Sequence, residues 1–167
     1  LQQDIDKYRK RYLEGWDSIR QARWERLTEM GLINCPLSDF DPDIIPPYNL
    51  SWEDLEDRIG PGEAGRAVPW AELTETQRHF QATKMAIHAA MVDRVDQEIG
   101  RVLKQLKAMG AFDNTLIFFV SDNGASAEQI IRADEHDKSS VPGSAASYLC
   151  LGPGFSSAAN TPFRLHK

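Results

Sequence analysis

Thr115-Leu116-Ile117-Phe118-Phe119-Val120-Ser121-Asp122-Asn123-Gly124 is the stretch on which the reading of the fold turns. Its first six residues are β-branched, aromatic or aliphatic and carry no charge, the pattern of a strand buried on both faces, as in the interior of a parallel sheet. Asp113-Asn114 in front of it is a turn. Ahead of that turn, Thr74-Glu75-Thr76-Gln77 has the form of a capping box. A stripe then follows at steps of three and four through Met85, His88, Val92, Val95, Ile99, Val102, Leu106 and Met109, and Gly110 supplies a stop. Helix, short turn and buried strand make half of a βαβ unit, so the expected fold class is α/β. A helix this long with one apolar side is expected to lie on a sheet.

Further out, Ile5, Tyr8, Tyr12, Trp16, Ile19 and Leu27 form a second helical stripe. Gly15 interrupts it and Gly31 ends it, which predicts one kinked helix or two shorter ones. Residues 35–70 carry Pro36, Pro42, Pro46, Pro47, Pro61 and Pro69 and read as a Pro-rich surface insertion, with Ser51-Trp52-Glu53-Asp54 starting one short helix inside it. From Ala125 to Ser147 the sequence is polar and without period, suited to a loop at a pocket mouth. The chain lacks an initiator Met and a signal-like segment and ends on Phe163-Arg164-Leu165-His166-Lys167, so residues 1–167 are read as a single incomplete domain of a longer protein.

With 41% hydrophobic and 26% charged residues, the 167-residue chain has a globular rather than a disordered balance. Its length could bury about 70% of the unfolded surface in one core. A net charge of −6 argues against nucleic acid as a partner. Apolar runs as short as Leu116 to Val120 exclude a membrane span by any such segment.

Asp122 and Asn123 are adjacent oxygen donors at the carboxyl end of the expected strand, where α/β sheets place ligands, and could aim a carboxylate and an amide oxygen at one hard cation. The competing reading is a plain turn, which Asp-Asn-Gly also suits. The ammonium of Lys167 would suit a tetrahedral oxyanion, though a terminal lysine is ordinarily solvated. His88 reads as a core or core-edge residue and His79 as surface, while His136 sits among Asp134, Glu135 and Asp137 in the polar loop. His166 is too close to the terminus to judge. Cys35 and Cys150 have neither metal spacing nor an activating histidine. Asp93 and Asp96 are expected to flank the helical stripe and pair with Arg94 or with the Lys84 region.

The chain resembles the sulfatase family, nearest its arylsulfatase branch. Four separated segments carry the resemblance, in the family's order. They are Tyr8 to Tyr12 with Gly15-Trp16-Asp17; Met85-Ala86-Ile87-His88-Ala89-Ala90-Met91-Val92-Asp93-Arg94-Val95-Asp96; Asp113 to Gly124; and Gly152-Pro153-Gly154 with Asn160-Thr161-Pro162-Phe163-Arg164. The resemblance implies an alkaline-phosphatase-like sandwich with a mostly parallel central sheet flanked by helices. It implies hydrolysis of a sulfate ester, with Asp122 and Asn123 as ligands of a divalent cation, usually calcium, and Lys167 in contact with the sulfate. It also implies a hydrated formylglycine nucleophile made from a Cys or Ser in a Cys-x-Pro/Ala-x-Arg segment. No such segment occurs in these residues, so the chain is expected to be the central part of a sulfatase catalytic domain, inactive alone and partnered by the remainder of that protein. The family suggests a periplasmic, secreted or lysosomal location. Two alternatives remain open: part of a phosphodiester or phosphonate hydrolase of the same superfamily, and a non-catalytic helical interaction module.

Overall fold

The computed structural model describes residues 2–43, 45–46, 49–131 and 136–166. Helix α1 (Gln2–Tyr12) and helix α2 (Gly15–Glu29) resolve the first stripe into two helices, broken at Gly15. Gly15 has φ +87, and a Cβ there would also strike the ring of Trp70, so the break needs glycine twice over. Inside the insertion, the Ser51 side chain accepts from Asp54 N and starts α3 (Trp52–Asp54), which runs on into a π turn over Leu55–Ile59. Leu55, Ile59, Glu63, Ala64 and Ala67 of this region are buried. The expected capping box is formed at Thr74 and Gln77, opening α4 (Glu75–Ala108), which ends before Gly110 at φ +66.

Helix α1 lies along α4 and α2 packs on α5 (Gly152–Ala159). Between α1 and α4, Lys7 Nζ donates to Asp93 Oδ2 at 2.7 Å, Tyr8 Oη donates to the same oxygen at 2.9 Å, and Arg94 donates to Asp4 at 2.8 Å. Asp93 is therefore held from α1 and by Gln97, not by Arg94 or Lys84. These contacts hold its carboxyl below the usual carboxylate range, the Lys7 hydrogen bond first among them, and push Lys7 up to about 12.

The core forms around Trp16, which is fully buried. Its ring meets Phe155 edge-on at 5.4 Å and Trp70 at 4.8 Å, and Tyr12 meets Phe155 at 5.6 Å. The indole N–H donates to Val68 O at 2.8 Å. A Cβ on Gly154 would collide with the Trp16 ring, so the close approach of α5 to α2 depends on that glycine. From α4, the core takes Ala82, Met85, Ala86 and Ala90, where small side chains let its neighbours come close.

The expected α/β class and parallel central sheet are not found: no strand occurs among the described residues. Thr115 has extended dihedrals (φ −124, ψ 124), but residues 115–120 form no ladder. Leu116, Phe118, Phe119 and Val120 are 77–81% exposed. The physical reason is that a strand exists only through hydrogen bonds to a neighbour. No described segment pairs with this one, so its apolar residues have no sheet to join. Instead, residues 116–119 lie over the far half of α4, lining an apolar cleft with Val95, Ile99, Val102 and Leu106. The stripe of α4 divides accordingly: Met85 is in the core, whereas Val92, Val95, Val102 and Met109 are exposed. His88, expected in the core or at its edge, is exposed as well.

A buried ion pair ties the insertion to α4. Lys84 Nζ donates to Glu63 Oε1 at 2.5 Å with both side chains 1% exposed. Gln81 Nε2 and the Ala64 amide donate to the same oxygen at 2.8 and 3.0 Å. Gln129 Nε2 donates to Ala64 O at 3.1 Å, which brings the loop after Gly124 into the network. A buried pair is costly to break because the surviving charge stays desolvated. Lys84→Met should therefore destabilise the protein by about 3–5 kcal/mol, measured by urea unfolding. Adding Glu63→Gln should recover much of that loss, and a single variant as stable as wild type would contradict the assignment.

Candidate functional site

Asp122 and Asn123 sit in a bend at the end of the unpaired segment 115–120, both exposed. The bend is tied locally, with Ser121 Oγ donating to Asn123 O at 2.7 Å. Neither the Asp122 carboxylate nor the Asn123 amide has a hydrogen-bond partner among the described residues, so their oxygens are uncommitted. They do not stand at the tip of a sheet strand, as the α/β reading required. The bend is instead placed from the other side, by the C-terminal end of α5.

Asn160 closes α5 with φ −89 and ψ −1, its own N–H bonded to Ser156 O at 2.9 Å. Its side-chain amide meets both polar groups of one residue across the gap. Ala125 N donates to Asn160 Oδ1 at 2.7 Å, and Asn160 Nδ2 donates to Ala125 O at 2.8 Å. This pairing reproduces with one side chain the double contact that two strands make. Gly124 is closely matched to it: a Cβ there would lie 2.8 Å from Asn160 Oδ1, tighter than real Cβ contacts allow. Two of the four sequence segments, the one ending in Gly124 and the one that includes Asn160, thus meet at Gly124 and its neighbour Ala125.

α5 is held in turn. Phe155 anchors it to Trp16, and Ser156 and Ser157 donate back to the Pro153 and Gly154 carbonyls at 3.1 and 2.9 Å. Beyond it, the Thr161-Pro162 peptide is cis, and Pro162 O accepts from Ser38 N at 3.3 Å. Arg164 lies 3.6 Å from Asp41. His166 Nδ1 is 3.1 Å from Ser156 Oγ. Burial pushes the His166 imidazole below its ordinary pKa, with Asp41 pulling the other way. Lys167, the expected sulfate contact, lies outside the described residues.

For a divalent cation, the chemistry of the pair is suitable in kind. A carboxylate and an amide carbonyl are hard oxygen donors, the type that Ca2+ or Mg2+ selects. At most three side-chain oxygens are far short of the six to eight that calcium takes, and no group of three or more His, Cys, Asp or Glu side chains able to hold a metal occurs among the described residues. The remaining histidines and cysteines do not converge on the bend. His79 lies 3.8 Å from Glu75, His136 Nδ1 accepts from Tyr148 N at 3.1 Å, and Cys35 and Cys150 are free thiols. His88 opens instead on a cleft of about 790 Å³ lined also by Arg11, Arg23, Arg26 and Asp96, to which neither Asp122 nor Asn123 contributes. No helix among the described residues is long and apolar enough to cross a membrane.

Sequence reasoning singled out neither the clamp of Asn160 nor the buried Glu63–Lys84 pair. Asn160 is one polar residue beside a Thr-Pro turn, and nothing in spacing links it to Ala125, 35 residues earlier. The only available signal was that both segments take part in the same family resemblance.

The sulfatase family model matches residues 6–166. An uncharacterised sulfatase of Schizosaccharomyces pombe is 32% identical over 174 aligned positions, which take in 98% of this chain and 28% of that protein. An arylsulfatase of Klebsiella aerogenes is 26% identical over 168 positions, 95% of this chain and 31% of that protein. Iduronate 2-sulfatase of Mus musculus is 33% identical over 85 positions, half of this chain and 15% of that enzyme. The chain spans less than a third of the length of the first two relatives. With a match that includes both the bend at Asp122 and the clamp that holds it, the chain belongs to the sulfatase family.

Proposed function

We propose that the chain is part of a sulfuric ester hydrolase of arylsulfatase type. In this reading, Asp122 and Asn123 give two ligands to a divalent cation, calcium by family resemblance, and Lys167 gives one positive contact to the sulfate. The observation that carries it is the similarity to an arylsulfatase across 95% of the chain, joined to the uncommitted side-chain oxygens of Asp122 and Asn123 that the match includes. A non-catalytic helical module has the helical architecture in its favour, and the family match over residues 6–166 weighs against it.

The cation would supply charge stabilisation as the ester bond breaks. The chain's own part is to hold ligands and to oppose negative charge. Asp122 brings one negative charge and Asn123 a neutral oxygen, so this pair alone leaves a divalent cation net positive and able to face an anionic ester. The Lys167 ammonium, a compact charge with three donors, would meet a second sulfate oxygen. His166, tied to Ser156, would fix the backbone just before it. The nucleophile in this reading is formylglycine, encoded outside these 167 residues, because no Cys-x-Pro/Ala-x-Arg segment is present.

Purified 167-residue chain should therefore give no multiple turnovers of an aryl sulfate, since covalent catalysis needs a nucleophile it does not encode. Sustained release of the phenol would overturn this.

In the full-length protein, Lys167→Ala should lower kcat/KM by on the order of a hundredfold, the scale for one preorganised charge contact to a developing anion. Arg164→Ala, which removes the partner of Asp41, should lower thermal stability more than it lowers the activity of the folded protein. An unchanged kcat/KM for Lys167→Ala would withdraw that residue while leaving Asp122 and Asn123 in place.

A further inference from the structure

We propose that Asn160 is a positioning residue for the cation ligands: by gripping both the N–H and the C=O of Ala125, it fixes the backbone from which Asp122 and Asn123 project. This inference rests on the reading of those two residues as ligands and adds what aims them. The segment before them has no ladder to hold it, and residues 116–120 are exposed. On the near side, the local tie is one bond from Ser121 Oγ to Asn123 O, which closes the bend on itself without attaching it to the core. The attachment is made at Ala125, two residues after Asn123, through bonds of 2.7 and 2.8 Å.

Two bonds to one residue do more than one bond to each of two. They fix the orientation of the Ala125 backbone as well as its distance, and only one residue, Gly124, separates it from Asn123. Gly124 leaves room for the amide, its virtual Cβ falling 2.8 Å from Asn160 Oδ1. The anchor is itself rigid, because Asn160 ends a helix whose residues Gly152 to Ala158 are all buried and whose Phe155 packs on Trp16. Farther along the loop, buried Gln129 bonds to Ala64 O and its N–H to Asn49 Oδ1, so the segment after the ligands is secured at a second place. Groups that orient metal ligands without touching the metal typically control affinity by about 10- to 100-fold.

The test is calorimetric titration of the metal-free full-length protein with Ca2+, read beside thermal unfolding with and without Ca2+. Asn160→Ala is expected to weaken Ca2+ binding about tenfold, and Asn160→Asp, which keeps the acceptor for Ala125 N–H and loses the donor, to fall between it and wild type. Gly124→Ala retains the amide but crowds it, and should weaken binding in the same direction if Asn160→Ala proves too unstable to titrate. Thermal stabilisation by Ca2+ should shrink in step with affinity. A stability loss in Asn160→Ala and Gly124→Ala with unchanged Ca2+ affinity would make the clamp structural only and overturn the proposal. Asp122→Ala separates the two levels. If it abolishes binding while the Asn160 variants bind normally, the positioning role falls and the ligand reading stands. If Asp122→Ala binds Ca2+ as wild type does, the ligand reading falls, and this inference with it.

Discussion

The Trp16 indole is the contact from which the rest of the arrangement follows. It is fully buried and touches two segments far from its own helix in sequence: Val68 and Trp70 from the end of the insertion, and Gly154 and Phe155 from α5. Truncating a buried tryptophan typically costs about 3–5 kcal/mol, a large share of the stability of an ordinary domain. The ring can sit where it does only because position 154 has no Cβ. That close approach sets where α5 runs, α5 sets where Asn160 ends, and Asn160 sets the backbone at Ala125. A packing constraint at Trp16 thereby reaches the bend that carries Asp122 and Asn123.

Polar contacts complete what the small core begins. The Glu63–Lys84 pair lies on the same route, since Gln129 connects Ala64 to the loop beyond Ala125 and the Lys84 ammonium lies close to Gly152 at the start of α5. A Cβ at Gly152 would come within 3.3 Å of both Lys84 Nζ and Gln129 Nε2, a tight fit, and the residue has φ +77, so glycine is favoured there by conformation above all. Gly152 and Gly154 of the Gly-Pro-Gly segment thus serve different neighbours, one a buried ammonium and the other a buried indole.

The helices were legible in the sequence because their signals are local. Thr74 with Gln77, Ser51 with Asp54, and the breaks at Gly15 and Gly110 all rest on residues within a few positions of one another. The absence of the expected sheet was not, because the pattern of Thr115 to Val120 reports that a segment suits a strand and says nothing of whether a partner is at hand. In this chain the segment is unpaired, and the apolar half of α4 from Val92 onward is exposed with it. Helix α5 carries no such local signal: Gly152-Pro153-Gly154 has low helix propensity, and the helix lies buried with Phe155 against Trp16. The candidate ligands were visible as adjacent oxygen donors, whereas Asn160 acquires its role solely from a contact across 35 residues.

In the proposed function, Asp122 and Asn123 hold a cation while Asn160 holds the bend beneath them. A crystal structure of the full-length protein grown with Ca2+, with the ion located by its anomalous signal, tests both at once. The expected result is one carboxylate oxygen of Asp122 and Oδ1 of Asn123 within about 2.3–2.6 Å of the ion, with the Asn160 amide still paired to Ala125. A calcium ion bound by other residues, with Asp122 and Asn123 turned to solvent, would contradict it.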